Sequence, residues 1–443
     1  MRFVVDLAYL LVALIISPFA LYRAVRHKRY RKGWSHRFGD IHRRDPSKRC
    51  IWLHAVSVGE VNAARTIISE LKAKFNDIEI VVSATTDTGF TRAQSLFGNN
   101  HAVFFFPLDF SLAIKRAFSN IRPDMCLLME LEVWPNFTHY ADKLGVPVVV
   151  INGRISDRGF ARYRIARPFV GGVFGKVSLV LAQTEQYASR FRELGCPNDR
   201  VIVTGSLKYD TAQIADKIEG TDLLASQIGL DKERLWVAGG TGTDEEKLLL
   251  EVFENLKQDD RFADLRLAIV PRKPERFNEV AQLIEARGLS LVRYSRVKEA
   301  GCVQPVDKQA VILGDTMGDL RKFYSLATII FVGRSLVPMG GSDMMEAAAL
   351  GRCTIVGPHA FNFIQAVDAL IAGKGAIVVK NTDELLETMR KCLLDTKFAS
   401  TIAANGQQVI RSNQGATQRS IEHIVGILGN RIKASSDSSP SRQ

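Results

Sequence analysis

Short apolar runs rich in Val, Ile and Phe alternate with longer amphipathic stretches along most of the chain. Strands buried on both faces read this way, and the helical stretches supply the crossovers that parallel pairing requires, so the pattern confines the chain to an α/β fold with parallel sheets. A first series of candidate strands falls at 51–54, 78–84, 102–106, 125–129, 146–152 and 179–182. The polar segment 210–233 has few strand formers and reads as a link. The alternation then restarts at 236–238, 265–270, 290–294, 311–313, 329–332, 354–356 and 376–379. At 443 residues and 46% hydrophobic, the chain exceeds what one core organises. The expectation is two doubly wound, Rossmann-like lobes, an N-terminal one over 50–210 and a C-terminal one over 211–432, followed by a Ser-rich disordered tail at 433–443.

The formal net charge of +12 gathers at the N-terminus, where residues 1–50 hold twelve Lys or Arg against three acids. Charge so placed argues against nucleic acid as a partner, because it leaves the lobes nearly neutral. The basic block follows an apolar run: residues 3–22 are 20 positions with one charge, Asp6, about the length that spans a bilayer core. A cleavable signal would carry its charges ahead of the apolar run, so 1–49 reads as a single uncleaved membrane anchor helix with a basic juxtamembrane segment. Lys and Arg accumulate on the cytoplasmic side, which puts the lobes in the cytoplasm with anionic lipid headgroups in reach of the block. Asp6 and Pro18 fit a spanning helix poorly, and an amphipathic or buried core helix is the alternative. The six cysteines show no C-x-x-C pair and no adjacent His cluster, and read as reduced core residues.

Ligands of doubly wound sheets bind beyond the carboxyl ends of the strands, so the chemistry is sought in the loops that follow them. Residues 54–60, His-Ala-Val-Ser-Val-Gly-Glu, end with Glu60 at a helix start, where the dipole favours an ionised carboxylate able to accept a proton. On local pattern alone Glu60 reads first as a residue that only complements the dipole. Residues 129–136, Met-Glu-Leu-Glu-Val-Trp-Pro-Asn, run a strand into two carboxylates. Strand alternation would point Glu130 and Glu132 to one face, while capping the helix opened by Pro135 is the structural alternative. Lys208, within 203–210, is a candidate to neutralise a phosphate or carboxylate on which charge develops, the alternative being a lysine that merely sits in solvent. In the second lobe 338–346 reads Pro-Met-Gly-Gly-Ser-Asp-Met-Met-Glu. Its glycines let the backbone approach an anion, and the helix that follows offers N–H groups to phosphate and Glu346 to ribose hydroxyls, while an ordinary glycine turn with Asp343 as N-cap is the structural alternative. No Asp-x-Asp triplet occurs and the histidines lack ligand spacing, so no metal is expected.

In their order and spacing these loops resemble the 3-deoxy-D-manno-octulosonic acid (Kdo) transferase family, through 54–60, 83–89, 129–136, 182–185, 204–210, 274–277, 314–320, 331–341 and 357–363. The resemblance covers nearly the whole chain. It implies a two-lobed glycosyltransferase of the B type that moves Kdo from CMP-Kdo to a lipid A precursor, lipid IVA, in lipopolysaccharide biosynthesis at the inner membrane, with inversion and without a cofactor. It further implies Glu60 as general base and Glu130 and Lys208 as stabilisers of the transition state. The CMP contacts it implies are Arg272 and Lys273, then Met317, Gly318 and Asp319, then Asp343, Met344, Met345 and Glu346. The chain departs from the family where Gly-Gly-His-Asn becomes Gly340-Gly341-Ser342-Asp343, where an Arg-His pair becomes Arg272-Lys273, and where Thr-His becomes Thr241-Gly242. These departures bear on the donor and leave Glu60, Glu130 and Lys208 untouched. The competing readings are a two-lobed transferase of another nucleotide sugar onto a lipid acceptor, told apart by release of UDP, and a nonenzymatic membrane scaffold that has kept the fold.

Overall fold

The computed structural model describes residues 2–27, 32–300 and 307–437. The chain divides into two compact units, Met1–Thr211 with Gln414–Gln443, and Ala212–Asn413. In the first, strands β1 (Arg49–His54), β2 (Ile78–Ala84), β3 (Ala102–Phe105), β4 (Met125–Met129), β5 (Val148–Gly153), β6 (Leu179–Ala182) and β7 (Val201–Val203) form one sheet in the order β3-β2-β1-β4-β5-β6-β7. Every neighbouring pair is parallel. The central strands are buried along their length because helices cover both faces, which is why their sequences read as unbroken apolar runs. Trp52 anchors one face, with the rings of Phe104, Phe106, Phe118 and Phe137 packed around it and its indole N–H donated to Ser83 Oγ at 2.8 Å. Strand β7 escapes a reading of hydrophobic runs, being three residues long and partly exposed at the sheet edge.

The second unit repeats the plan. Strands β8 (Arg234–Thr241), β9 (Leu265–Pro271), β10 (Leu291–Arg293), β11 (Val311–Leu313), β12 (Ile329–Val332), β13 (Cys353–Val356) and β14 (Ile377–Val378) lie in the order β10-β11-β9-β8-β12-β13-β14, again all parallel. The segment expected to be a link is largely folded, since the helix Thr221–Gln227 buries Leu224 and is followed by buried Ile228. Cys353 and Cys392, far apart in sequence, meet as buried thiols with their sulfurs 3.8 Å apart; Cys302 lies outside the described residues.

Both ends of the chain differ from the sequence expectation. The helix Ala416–Asp437 belongs to the first unit, so 414–432 does not continue the second lobe and 433–437 is helical; 438–443 lies outside the described residues. Its apolar stripe Ile421, Ile424 and Leu428 is buried against Ile67, Ile68 and Leu71. Asp210 fastens its start by accepting the N–H groups of Gly415 and Thr417. At the other end, residues 34–49 are part of the first unit and not a free juxtamembrane segment. Ile41 is in the core, Arg37 is buried over the Phe105 ring, Arg43 pairs with Glu79 at 2.9 Å, and Arg49 pairs with Asp77. Lys28, Arg29 and Arg31 lie outside the described residues.

The N-terminal apolar run does form a helix, Arg2–His27, yet among the described residues no helix is long and apolar enough to cross a membrane. Asp6 explains part of this. Its carboxylate accepts from the Ser111 N–H at 3.0 Å and from Asn136 Nδ2 at 2.9 Å, so the start of the helix is pinned to the lobe by polar contacts. One turn on, the Tyr9 hydroxyl donates to Asp109 at 3.0 Å. Asp109 also accepts the N–H groups of Asn136 at 2.9 Å and Phe137 at 2.7 Å, the first free donors of the helix Pro135–Lys143. Burial pushes the Asp109 carboxyl up to about 7 against these hydrogen bonds. Asp109→Ala would leave two buried N–H groups and a phenol without acceptors, and should lower the stability of the first unit by roughly 2–4 kcal/mol. A urea melt checks it; an unchanged midpoint would show that the contact is dispensable.

Candidate functional site

The chain leaves β1 for β2 and β3, then returns to β4 on the other side of β1, so the direction of winding reverses between β1 and β4. Loops 55–60 and 130–134 therefore leave adjacent strands in the same direction, at the switch point where doubly wound sheets bind ligands. The first loop enters the helix Val58–Lys74 through a capping box. Glu60 N–H donates to Ser57 Oγ, and the Glu60 carboxylate accepts from the Ser57 hydroxyl at 2.8 Å and from the Val56 N–H at 2.9 Å. Ser57 and Val56 thus fix its orientation while it stays half-buried. Burial raises its pKa to about 7, with Glu130 and Glu132 adding to the rise and the Val56 N–H and Ser57 hydroxyl opposing it.

Strand β4 ends at Met129, and Glu130 has a φ of 54°, so strand alternation does not relate it to Glu132. A left-handed backbone is unusual for a non-glycine residue and is held here by the Glu130 N–H donating to Ile151 O at 3.0 Å. Burial raises the Glu130 pKa, and the positive charges of Lys208 and Arg154 oppose the rise. Neither Glu130 nor Glu132 caps the helix at Pro135, because Asp109 does so. Both carboxylates are left for the site. Glu132 accepts the Trp134 indole N–H at 2.9 Å and lies 3.7 Å from Nε2 of His54. His54 is fully buried, stacked on Phe106 at 3.9 Å, and its Nδ1 faces Ser83 Oγ at 3.0 Å.

Lys208 lies in the short helix Leu207–Thr211, whose first N–H donates to Asn152 Oδ1 at 3.1 Å. Asn152 is itself buried with a φ of 55°, at the Asn-Gly that ends β5. Electrostatic coupling thus gathers Glu60, Glu130, Glu132, Arg154 and Lys208 within the first unit. Sequence reasoning missed Arg154, Asn152 and the role of His54. The Asn-Gly-Arg at 152–154 was the available signal, since Asn and Gly tolerate the left-handed turn that a strand end needs.

In the second unit winding reverses between β8 and β12, and the loops after these strands are tied together by one buried carboxylate. Glu245 accepts the N–H groups of Gly242, Arg334, Ser335 and Leu336. Gly340 and Gly341 have φ of 91° and 81°, and a Cβ on Gly340 would lie 2.0 Å from the Asn362 side chain, so both positions need glycine. Ser342 is buried and its hydroxyl donates to Gly240 O at 2.8 Å. The helix Met345–Ala349 is five residues long and its N-cap residue is Met344, with Asp343 accepting the Met345 N–H at 2.9 Å. The expected N-cap therefore falls one position later. The side chains of Met344 and Met345 are buried in the core, whereas Glu346 is half-buried. Burial and the Asp343 charge raise the Glu346 pKa against Arg321 and Arg272.

Arg272, Lys273, Met317 and Gly318 are exposed. Asp319 is not: burial would raise its pKa, but hydrogen bonds from Lys298 at 2.7 Å, Lys322 at 2.8 Å and Thr316 at 2.7 Å hold it at about 2. It fixes the loop that displays Met317 and Gly318. Among the described residues no group of three or more His, Cys, Asp or Glu is placed to hold a metal ion.

Residues 32–211 match the family described as 3-deoxy-D-manno-octulosonic-acid transferase (kdotransferase). The 3-deoxy-D-manno-octulosonic acid transferase of Haemophilus influenzae is 32% identical over 407 residues, covering 91% of this chain and 93% of that protein. Its namesake from Bordetella pertussis is 30% identical, covering 89% and 91%. Among solved structures, the UDP-GlcNAc 2-epimerase of Neisseria meningitidis has a TM-score of 0.56 at 16% identity over 85% of this chain and all of that one, a likeness of fold alone.

The electrostatics of the site can be checked without any assay of activity. In protein carrying 13C-labelled glutamate, one carboxyl resonance should titrate near pH 7 and vanish in Glu60→Gln. Glu132→Gln, by removing a neighbouring negative charge, should move that titration to lower pH. An unmoved midpoint would separate Glu132 from Glu60.

Proposed function

Because the chain belongs to the Kdo transferase family, a family of glycosyltransferases, we propose that it moves Kdo from CMP-Kdo to a sugar hydroxyl of a lipid A precursor, lipid IVA, with inversion at the anomeric carbon. The observation that carries this reading is Glu60, a carboxylate fixed by three hydrogen bonds at a helix start and raised to about 7, where a general base is balanced between holding and releasing a proton. In the proposed step the acceptor oxygen forms a bond to the anomeric carbon while its proton passes to Glu60. The bond from that carbon to the CMP phosphate breaks, and CMP leaves with the electron pair. Positive charge developing on the sugar is met by Glu130, which Lys208 and Arg154 help to keep ionised, and Lys208 offsets negative charge on the departing phosphate.

For the donor, the exposed Arg272 and Lys273 supply positive charge, Met317 and Gly318 supply an exposed loop, and the half-buried Glu346 is assigned to ribose hydroxyls. Asp343 repels phosphate and is assigned to the ribose or base side. The reaction is proposed to need no metal or other cofactor, because Lys208, Arg272 and backbone N–H groups supply the anion stabilisation.

The acceptor is a lipid, so the enzyme is proposed to work at the cytoplasmic face of the inner membrane, in contact with its lipids. Leu7, Leu10, Leu11, Leu14 and Ile15 of the helix Arg2–His27 are exposed and supply apolar attachment along the surface, in place of the spanning anchor expected from composition.

Glu60→Gln should lower turnover about a hundredfold or more with CMP affinity unchanged. In the parent protein kcat/KM should fall with decreasing pH below about 7 as the base is protonated. Near-normal turnover in the variant would remove Glu60 from the mechanism. With CMP-Kdo and lipid IVA, the purified protein should release CMP and give a lipid heavier by Kdo in the mass spectrum, with or without EDTA. Loss of activity in EDTA that returns with Mg²⁺ would overturn the metal-free step, and release of UDP from a UDP-sugar in place of CMP would overturn the donor.

A further inference from the structure

We propose that a cavity of about 370 Å³ beside the 130–134 loop takes one acyl chain of the lipid acceptor, an inference that rests on the acceptor class put forward above. The cavity lies wholly within the first unit and falls in the size range of small-molecule sites, roughly 300–1,000 Å³. Three segments wall it: the N-terminal helix through Tyr9, the loop through Val133 and Trp134, and the helices Asp157–Ile165 and Arg167–Phe174 through Tyr163, Val170 and Phe174. Aliphatic and aromatic side chains dominate the lining. The Tyr9 hydroxyl is already given to Asp109, which leaves that ring to present carbon.

The carboxylate in the wall is Glu132, and it decides what kind of molecule fits. Its charge is felt by Glu60 and Glu130, so an occupant with an apolar part among Val133, Trp134 and Val170 has its other end beside the reacting carboxylates. A molecule of that shape is an amphiphile with a hydroxylated head. The walls also carry the approach it would use. Leu7, Leu10 and Leu11 on the helix of Tyr9, and Ile165 and Phe169 on the segment of Tyr163 and Val170, are exposed, the last two at 83% each. Arg158, Arg162, Arg164 and Arg167 are exposed on that same segment, and their charge suits an anionic headgroup. Exposed apolar residues and cations on the elements that wall the cavity, with Glu132 in its lining, together favour a chain tied to an anionic sugar head over a nucleoside or a free aromatic ligand.

The test uses a 14-carbon fatty acid brominated in mid-chain as the probe, added to the full-length protein, with tryptophan emission as the readout. Bromine quenches only at close range, so emission from Trp134 should fall saturably with probe, and this component should be absent in Trp134→Phe. Val170→Phe fills the cavity without adding a tryptophan and should weaken the probe's affinity at least about tenfold. Circular dichroism confirms that each variant is folded, and Val173→Leu replaces Val170→Phe if the latter is not. Absence of the Trp134 component, or equal affinity in parent and filled variants, would overturn the cavity as a chain site even where Kdo transfer is intact. Saturable quenching in a protein that transfers Kdo to no lipid would instead remove the acceptor as the occupant, which separates a failure of this proposal from a failure of the functional reading.

Discussion

The site depends first on the parallel pairing of β1 with β4, which sets His54 opposite Leu128. Parallel neighbours release their loops at the same end of the sheet, and because the chain winds outward from β1 before returning to β4, no crossover covers the ground between those two loops. Glu60 and the Glu130–Glu132 pair are thereby gathered from positions seventy residues apart in sequence. A one-residue slip in that register would turn every buried side chain of β4 to the opposite face, and the aromatic packing around Trp52 on one face resists it.

Buried carboxylates recur, with two uses that local surroundings distinguish. Asp109 and Glu245 act as staples, each accepting two or more backbone N–H groups from a segment distant in sequence. Asp319 does the same for the loop of Met317 by way of two lysines and a threonine. Glu60 also accepts N–H groups, but only from its own loop, and it has other carboxylates for neighbours. Burial raises the proton affinity of Glu60, Asp109 and Glu245 alike. Asp6 raises Asp109 further, as Glu130 and Glu132 raise Glu60; Glu60 differs in that the carboxylates around it belong to the loop that leaves the adjacent strand.

The N-terminal helix shows how two polar side chains tie an apolar segment to the lobe. By length and hydropathy residues 3–22 approach a bilayer span, yet Asp6 and Tyr9 make hydrogen bonds to the lobe that a lipid environment could not replace. The helix is thus tied at one end to the start of the helix Pro135–Lys143, next to the 130–134 loop, while Leu7, Leu10, Leu11, Val12, Leu14 and Ile15 are exposed.

Alternation of β-branched runs with amphipathic stretches was enough to read thirteen of the fourteen strands and the α/β class, because strand burial on both faces leaves a local record in composition. Glu60, Glu130, Lys208 and the glycine turn at 340–341 were legible for a related reason: each sits where a strand gives way to a helix, and that junction has its own residue signature. The partners of these residues left no such record. That Asp109 caps the helix at Pro135, that Arg154 and Lys208 both act on Glu130, that Asn152 accepts the Leu207 N–H, that Asp319 is sequestered by Lys298, and that the last helix returns to the first unit through Asp210 all join residues remote along the chain. Sequence by itself determined the secondary structure and the chemical candidates, since both follow from local backbone and side-chain preferences. Only the tertiary structure decided which carboxylates became staples and which stand together at the candidate site, because a carboxylate's proton affinity depends on burial and on neighbouring charges, and both are set by the packing of distant segments.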